Sequence, residues 1–276
     1  MAQTVTVREI ECKSILNKSS LFEYSLNCYT GCAHGCVYCY ARYMQRFHYH
    51  PEPWGRFVDV KVNAPQVLRN QLRRARPGTV FMSSACDGWQ PLEEKYRLTR
   101  ECCRLLVGHG FTVHALTKSA LIMRDFDVLA GSDSKVAVTI TSLDEELRKL
   151  WEPGASPVTE RLKVLSEVKK AGLRTGSMLG PLLPFLSDSE EEIRAMMNKL
   201  AELDVDEITV DAMNPRPKVW EPVAALVGRR WPKLREEYRK VLFEPGAREK
   251  YLETLRERVK EAAQKAGIAD RVWACF

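Results

Sequence analysis

No run of this sequence approaches the roughly 18–20 apolar residues of a membrane-spanning helix, and its first residues, MAQTVTVREIECKS, lack the apolar core of an export signal. Neither membrane insertion nor secretion is expected, so the expected setting is a reducing cytoplasm. No GxGxxG and no GxxxxGK[ST] follows an apolar run, which argues against the phosphate loops of dinucleotide and P-loop proteins. The charge also lacks a strong bias. Lys and Arg number 42 and Asp and Glu 36, giving +6 over 276 residues, a balance that permits a nucleic-acid partner without requiring one. The clearest basic run, RNQLRRARPG, reads as a solvated helix face. Low-complexity linkers are missing too. With 45% hydrophobic and 28% charged residues the chain is expected to be globular and to bury a large core without covalent staples.

Cysteine is what the sequence does have. Four of its nine cysteines fall within LNCYTGCAHGCVYCYARYMQRF, residues 26–47. An odd total cannot pair fully, and in a reducing compartment close spacing points to metal more than to disulfides. Cys32, Cys36 and Cys39 are spaced Cys-x3-Cys-x2-Cys. Three thiolates on one short loop can hold three corners of a [4Fe–4S] cluster and leave its fourth iron open. A structural zinc site wants four ligands. Cys28 or His34 can supply the fourth, and spacing alone does not exclude it, although no second cysteine pair lies at zinc-ribbon distance. Cys102 and Cys103 read as helix residues, while Cys12, Cys28 and Cys275 receive no role.

Apolar runs alternate with helical patterns along the chain. LFEYSL, TVFMSSACD, FTVHALTKS, KVAVTITS, LRTGSMLGPLLP and DEITVDAM read as six strands, each followed by a helix at the spacing of βα units. The helix SPVTERLKVLSEVKKAG carries a capping serine, Ser156, and stops at Gly172. FHYHPEPWGRFVDVKV reads as irregular. Beyond Asn214 the pattern becomes two helical segments without a strand. An open parallel sheet and a full or partial barrel both fit this alternation. Polar residues gather at the strand C-termini: Ser84 and Cys86 after Val80 and Met82, Thr139 and Thr141 together, and Lys118 in line with Thr112 and His114. Barrel enzymes build their sites at such ends.

CAHGCVYC fits the Cys-x3-Cys-x-aromatic-Cys signature, after the first strand, of radical S-adenosylmethionine (SAM) enzymes, and the chain resembles that superfamily. GCAHGCVYCYAR, DGWQPLEEKYRLTRECC, LTKSALIMRDFDVLA, TITSLDEELRKLWEPGASPVTERLKVL and AGLRTGSMLGPLLP together resemble its spore-photolyase-like branch over residues 27 to about 190. The resemblance implies an α/β fold: a partial (β/α)6 TIM-type barrel of parallel strands over residues 21–214. An N-terminal segment, 1–20, precedes it, and a helical C-terminal extension, 215–276, follows. It also implies a [4Fe–4S] cluster on Cys32, Cys36 and Cys39, with SAM on the open iron. One electron from a flavodoxin- or ferredoxin-type reductant would cleave SAM to a 5′-deoxyadenosyl radical that abstracts hydrogen from a substrate; the cofactors carry the difficult chemistry.

By the same resemblance Tyr38 packs beside the cluster and adenosine. Ser84 lies near the SAM methionine moiety, Lys118 meets the SAM carboxylate, and Thr139 and Thr141 touch the ribose. Cys86 matches a cysteine that returns a hydrogen atom to the substrate radical. Against these stand plainer readings: a surface lysine, barrel-filling threonines and a buried structural thiol. Trp54, Trp89, Trp151 and Trp220 are candidate platforms for nucleobases. Only 31 residues precede Cys32, and the tail is mixed in charge, unlike spore photolyase. Repair of a DNA lesion is therefore one expectation, and modification of RNA, a peptide or a small metabolite is equally open. A non-catalytic iron–sulfur or zinc protein that binds nucleic acid is the reading from another class.

Overall fold

The computed structural model describes residues 5–47, 49–216 and 218–276. In chain order the elements are β1 (Thr6–Ile10), β2 (Leu16–Lys18), β3 (Tyr24–Leu26), β4 (Tyr29–Thr30), β5 (Phe57–Lys61), α1 (Ala64–Leu72), β6 (Thr79–Met82), α2 (Glu93–Tyr96) and α3 (Leu98–Gly108). There follow β7 (Thr112–Thr117), α4 (Phe126–Leu129), β8 (Lys135–Ile140), α5 (Glu145–Trp151), α6 (Val158–Lys170), β9 (Arg174–Leu182), α7 (Glu190–Glu202) and β10 (Glu207–Ala212). The tail holds α8 (Trp220–Arg230), α9 (Arg235–Phe243), α10 (Pro245–Lys265) and β11 (Val272–Ala274). Among the described residues the main sheet has eight strands. Two compact units divide the chain: one of residues up to Gly35 with Met44–Val138 and Pro153–Thr175, the other of Cys36–Tyr43, Thr139–Glu152 and Gly176–Phe276.

In the first unit β3, β6, β7 and β8 pair in parallel, Tyr24 against Val80, Val80 against Val113 and His114 against Lys135. Parallel neighbours need a crossover, and helices supply it. β2 closes the edge antiparallel to β3. Every residue of β8 is buried, as for a strand covered on both faces. A small second sheet pairs β1 and β4 with β5. It overturns the reading of FHYHPEPWGRFVDVKV as irregular for FVDVK alone; residues 49–56 are irregular as expected, and His48 lies outside the described residues. β5 is buried at four successive positions, so it shows no alternation, and its main partner lies some fifty residues upstream.

The strands also end sooner than their apolar patterns suggest. β6 stops at Met82, β7 at Thr117 and β8 at Ile140, so Ser84, Cys86, Lys118 and Thr141 all stand on the loops just beyond. Ser156 does not cap α6: Pro157 occupies that position, and the Ser156 hydroxyl accepts from the Ala120 N–H at 2.9 Å instead. Gly172 follows α6 with φ +71°, the left-handed stop that glycine suits. The helix expected across EKYRLTRECCRLLVGHG breaks at Arg97, φ 53°. There the buried Glu93 carboxylate accepts the Thr99 and Arg100 N–H groups at 3.0 and 3.1 Å, taking over the opening of α3.

In the second unit β9, β10 and β11 pair in parallel. β3, β6, β7, β8, β9 and β10 are thus the six parallel strands of the expected series. β11 is an addition, because no strand was expected after Asn214. Three residues are too few to show a period, and its partner, β10, lies some sixty positions away. Among its described residues the tail has three α-helices in place of two segments. Val223, Leu226 and Val227 of α8 and Tyr238, Val241 and Leu242 of α9 share a core with Cys36, Tyr38 and Trp151. Among the described residues no helix is long and apolar enough to cross a membrane.

Candidate active site

The cysteine segment passes from the first unit to the second between Gly35 and Cys36. In the first unit it leaves β4 through Gly31, φ +86°, where a Cβ would lie 2.4 Å from the Phe57 carbonyl oxygen. Only glycine fits there. Cys32 is buried, and a tight turn follows, the Gly35 N–H donating to the Cys32 carbonyl at 3.3 Å. Two side chains of the loop after β6 clamp this turn. Gln90, fully buried, accepts the Ala33 N–H at 2.8 Å and donates to the Gly31 carbonyl at 3.4 Å. Asp87 pairs with His34 Nδ1 at 3.3 Å and accepts the Thr117 hydroxyl at 2.7 Å, the Lys118 N–H at 2.8 Å and the Trp89 N–H at 2.9 Å. Burial alone would raise the Asp87 carboxyl; the charge of His34 and these hydrogen bonds overcome it and hold the group below its ordinary range. A third clamp is backbone: Gly154 donates to the His34 carbonyl at 2.9 Å, so close that a Cβ would lie 2.4 Å from the Ala33 oxygen.

The sequence offered DGWQP only as part of a resemblance, without roles for Asp87, Gln90 or Thr117. A buried amide that meets two backbone groups of the cysteine turn makes a direct prediction. Gln90→Ala strands the Ala33 N–H and the Gly31 carbonyl, which costs about 1–3 kcal/mol. The variant should melt lower and lose iron to a chelator faster than the parent, with the same iron content when freshly loaded.

Beyond β6, Asn27 organises the loop that bears Ser84 and Cys86. Its amide donates to Ser84 Oγ at 3.0 Å, and its Oδ1 accepts the Ala85 N–H at 2.8 Å with Cys86 Sγ 3.7 Å away. Burial pushes the Cys86 thiol up to about 12, against the pull of Lys61. The group therefore stays S–H across the neutral range and loses its proton only as pH rises toward that value. At pH 8 its thiolate fraction is on the order of 10⁻⁴, against roughly 0.2 for an ordinary cysteine. Iodoacetamide at pH 8 should accordingly label the exposed Cys275 well before Cys86, with Cys86 labelling rising about tenfold per pH unit up to pH 11, as peptide mass spectrometry would show. Lys118 stands directly after β7, its N–H on Asp87 and its carbonyl accepting from the Ser156 N–H at 3.0 Å. Cys28, Cys102 and Cys103 are core residues, the first two with sulfurs 3.7 Å apart. Cys12 is half-buried.

In the second unit Cys36 is buried and Cys39 half-buried. The Cys39 N–H donates to the Cys36 carbonyl at 3.3 Å, and Arg42 donates to the carbonyls of Cys36 and Val37 at 3.2 and 3.3 Å. Val37 N–H donates to the Trp151 carbonyl at 2.9 Å. The Tyr38 ring stacks on Trp151, 6.4 Å between centroids, and its hydroxyl donates to Glu152 and meets Thr141. Burial first, then Glu152, keep it a phenol. The Thr141 hydroxyl is committed to Glu152 at 2.9 Å and the Gly180 carbonyl at 3.1 Å, which is the packing role that a threonine at a strand end commonly has. Thr139 is buried. Of the four tryptophans proposed as platforms, Trp54, Trp89 and Trp151 are buried core residues, and Trp220 lies edge-on to Phe243.

None of the nine cysteines is joined in a disulfide. Among the described residues no three His, Cys, Asp or Glu side chains are drawn together as a formed metal cage. The fit to a cluster therefore rests on the donor chemistry. Three reduced, largely shielded thiols stand on eight consecutive residues whose turns are pinned by buried side chains, and soft thiolates are what an iron–sulfur cluster takes.

Comparison with known proteins agrees. An uncharacterized protein of Mycobacterium tuberculosis is 32% identical over 282 residues, covering 96% of this chain and 82% of that protein. One of Methanocaldococcus jannaschii is 31% identical over 193 residues, 69% of this chain and 73% of that one. Among solved structures, a spore photoproduct lyase mutant with bound AdoMet and dinucleoside spore photoproduct shares the fold at TM-score 0.70 and 16% identity, over 99% of this chain and 82% of that one. The profile of the radical SAM superfamily matches residues 26–200, which include all three cysteines of the motif. The chain belongs to the radical SAM superfamily, whose members work with a [4Fe–4S] cluster and SAM.

Proposed function

We propose that this chain holds a [4Fe–4S] cluster on Cys32, Cys36 and Cys39, binds SAM at the open iron, and abstracts a hydrogen atom from an organic substrate. When bound, the two groups supply one-electron cleavage of SAM and the radical that follows, fed by a ferredoxin- or flavodoxin-type donor. The protein's part is to position and to shield. Gln90, Asp87 and Gly154 fix the turn of Cys32, and Arg42 fixes the backbone of Cys36. Lys118, anchored through its N–H to Asp87, serves the SAM carboxylate, and Ser84, held by Asn27, serves its amino-acid end. Tyr38 backs the cluster with a buried ring, while Thr139 and Thr141 support the adenosine side through packing.

Cys86 is the hydrogen donor of this scheme. Returning a hydrogen atom to a carbon radical requires an S–H bond, not a thiolate, and burial keeps Cys86 in that form. The dinucleoside spore photoproduct bound by the structural relative makes a damaged nucleobase one substrate of this reading. RNA, a peptide or a small metabolite suits the same chemistry.

The observation that carries the reading is the Cys-x3-Cys-x2-Cys loop, without a disulfide and clamped at Ala33 and His34 by Gln90 and Asp87. Anaerobic reconstitution tests it. About four iron and four sulfide per chain are expected, and SAM with a strong reductant should yield methionine and 5′-deoxyadenosine. Iron and sulfide without SAM cleavage would favour a non-catalytic iron–sulfur protein, and zinc in place of iron would overturn the reading.

A further inference from the structure

The first unit carries an open cleft of about 880 Å³ between the β2 edge and the C-terminal end of α1. Lys13, Lys18, Arg73, Arg74 and Arg76 line it, and no Asp or Glu does. All five are exposed, and among the described residues none of them forms an ion pair. The carboxylate that Lys18 influences, Glu23, does not line the cleft and accepts the Thr79 N–H at 2.9 Å. Five like charges on one concave surface repel one another and focus a positive potential into it. A solvated helix face would intersperse carboxylates, as α9 does, where Arg239 and Lys240 pair with Glu236 and Glu237.

The walls are rigidly joined. The Gln71 side chain accepts the Ile15 and Leu16 N–H groups at 2.9 and 3.0 Å and donates to Ser14 Oγ and the Leu16 carbonyl at 3.1 and 3.0 Å. One amide thus ties α1 to the strand opposite with its full hydrogen-bonding capacity. Tyr24 donates to the Arg76 carbonyl at 3.1 Å, and Lys18 sits 4.2 Å over the Tyr24 ring. The cations are therefore displayed on a fixed concave frame. Among the described residues none of the large exposed apolar side chains lines the cleft, which disfavours a membrane surface, since amphipathic membrane sites add apolar insertion to charge.

We infer that this cleft is a docking groove for the phosphodiester backbone of a nucleic acid. It is separate from the cysteine loop in sequence, and the inference does not depend on the radical chemistry, because binding is measured without SAM or reductant. The groove reads charge and not sequence: backbone contacts position a strand and leave base identity to other residues.

The test is fluorescence anisotropy of the full, iron-loaded chain with labelled duplex DNA, single-stranded DNA and single-stranded RNA of mixed sequence. Five phosphate contacts predict a log–log salt slope of about −3.5 to −4.5, or roughly a 100- to 500-fold loss of affinity between 50 and 200 mM salt. The triple variant Arg73→Glu, Arg74→Glu, Arg76→Glu should bind at least about 100-fold more weakly at 100 mM salt, with a slope reduced to under about 2. Iron per chain, unchanged, shows that it is folded. A control carrying Arg229→Glu, Arg230→Glu and Lys233→Glu has the same net charge and should bind like the parent. Equal weakening in both triple variants would reduce the effect to net charge and overturn the groove. So would no binding by the parent chain, or binding to phosphatidylserine vesicles in preference to every oligonucleotide.

Discussion

Replacing Cys32, Cys36 or Cys39 singly with Ala abolishes both the brown iron–sulfur chromophore and SAM cleavage, while Cys28→Ala retains both. A cubane left with two protein thiolates and two open irons is labile, so the loss is to background and not graded. Cys28 is the informative control, since it lies only four residues before Cys32. Its sulfur is buried against Cys102 at 3.7 Å, in a core where removing a thiol costs about 1 kcal/mol of packing. Cys28→Ala should melt slightly lower with full iron. Cys86→Ala should also keep iron and cleave SAM without substrate at the parental rate, yet release misquenched products once a substrate is present. Iron per chain, visible absorption and 5′-deoxyadenosine yield separate the three behaviours. Loss of iron from Cys28→Ala would instead point to a fully ligated cluster with no place for SAM.

Tyr238→Ala, far from the motif in sequence, should be the most damaging substitution outside the cysteines. The ring is fully buried in α9 and stacks on Trp151, 6.2 Å between centroids, which also stacks on Tyr38 and Trp231. Truncating a buried aromatic costs about 3–5 kcal/mol, a fall in Tm on the order of 10 °C for a chain of this size. The cavity opens behind Cys36 and Tyr38, so iron should also be lost faster to a chelator. Tyr238→Phe separates packing from polarity. The hydroxyl is buried without a hydrogen-bond partner among the described residues, so removing it should leave stability unchanged or raise it by up to about 1 kcal/mol. A lower Tm for Tyr238→Phe would mean that the hydroxyl has a partner in solution.

The motif of the candidate site was legible because it is local. Cys32, Cys36 and Cys39 sit within eight positions, and a motif that short survives without tertiary information. The six parallel strands were legible for a related reason, since each is an apolar run punctuated by glycine or a helix pattern. What failed was non-local. β5 and β11 exist because distant strands pair with them, and nothing in their own few residues announces that. Ser156 looked like a cap because a serine preceded an apolar period, but Pro157 took the position and Ala120 claimed the hydroxyl. The clamp was hidden most deeply. Asp87 and Gln90 are polar residues in a loop, and only the approach of that loop to Ala33 and His34 turns them into positioning groups. The packing of the tail was hidden similarly: its sequence marks helices but not that α8 and α9 cover Cys36 and Trp151.

Low-temperature EPR of the reduced, reconstituted chain with and without SAM tests the central claim most directly. Three cysteines leave one iron open, so adding SAM should change the g values and line shape of the reduced cluster, and methionine with 5′-deoxyadenosine should appear as the signal decays. The Cys28→Ala variant should respond identically. A reduced-cluster spectrum that is the same with and without SAM would contradict the account, because it would mean that all four irons already have ligands from the protein.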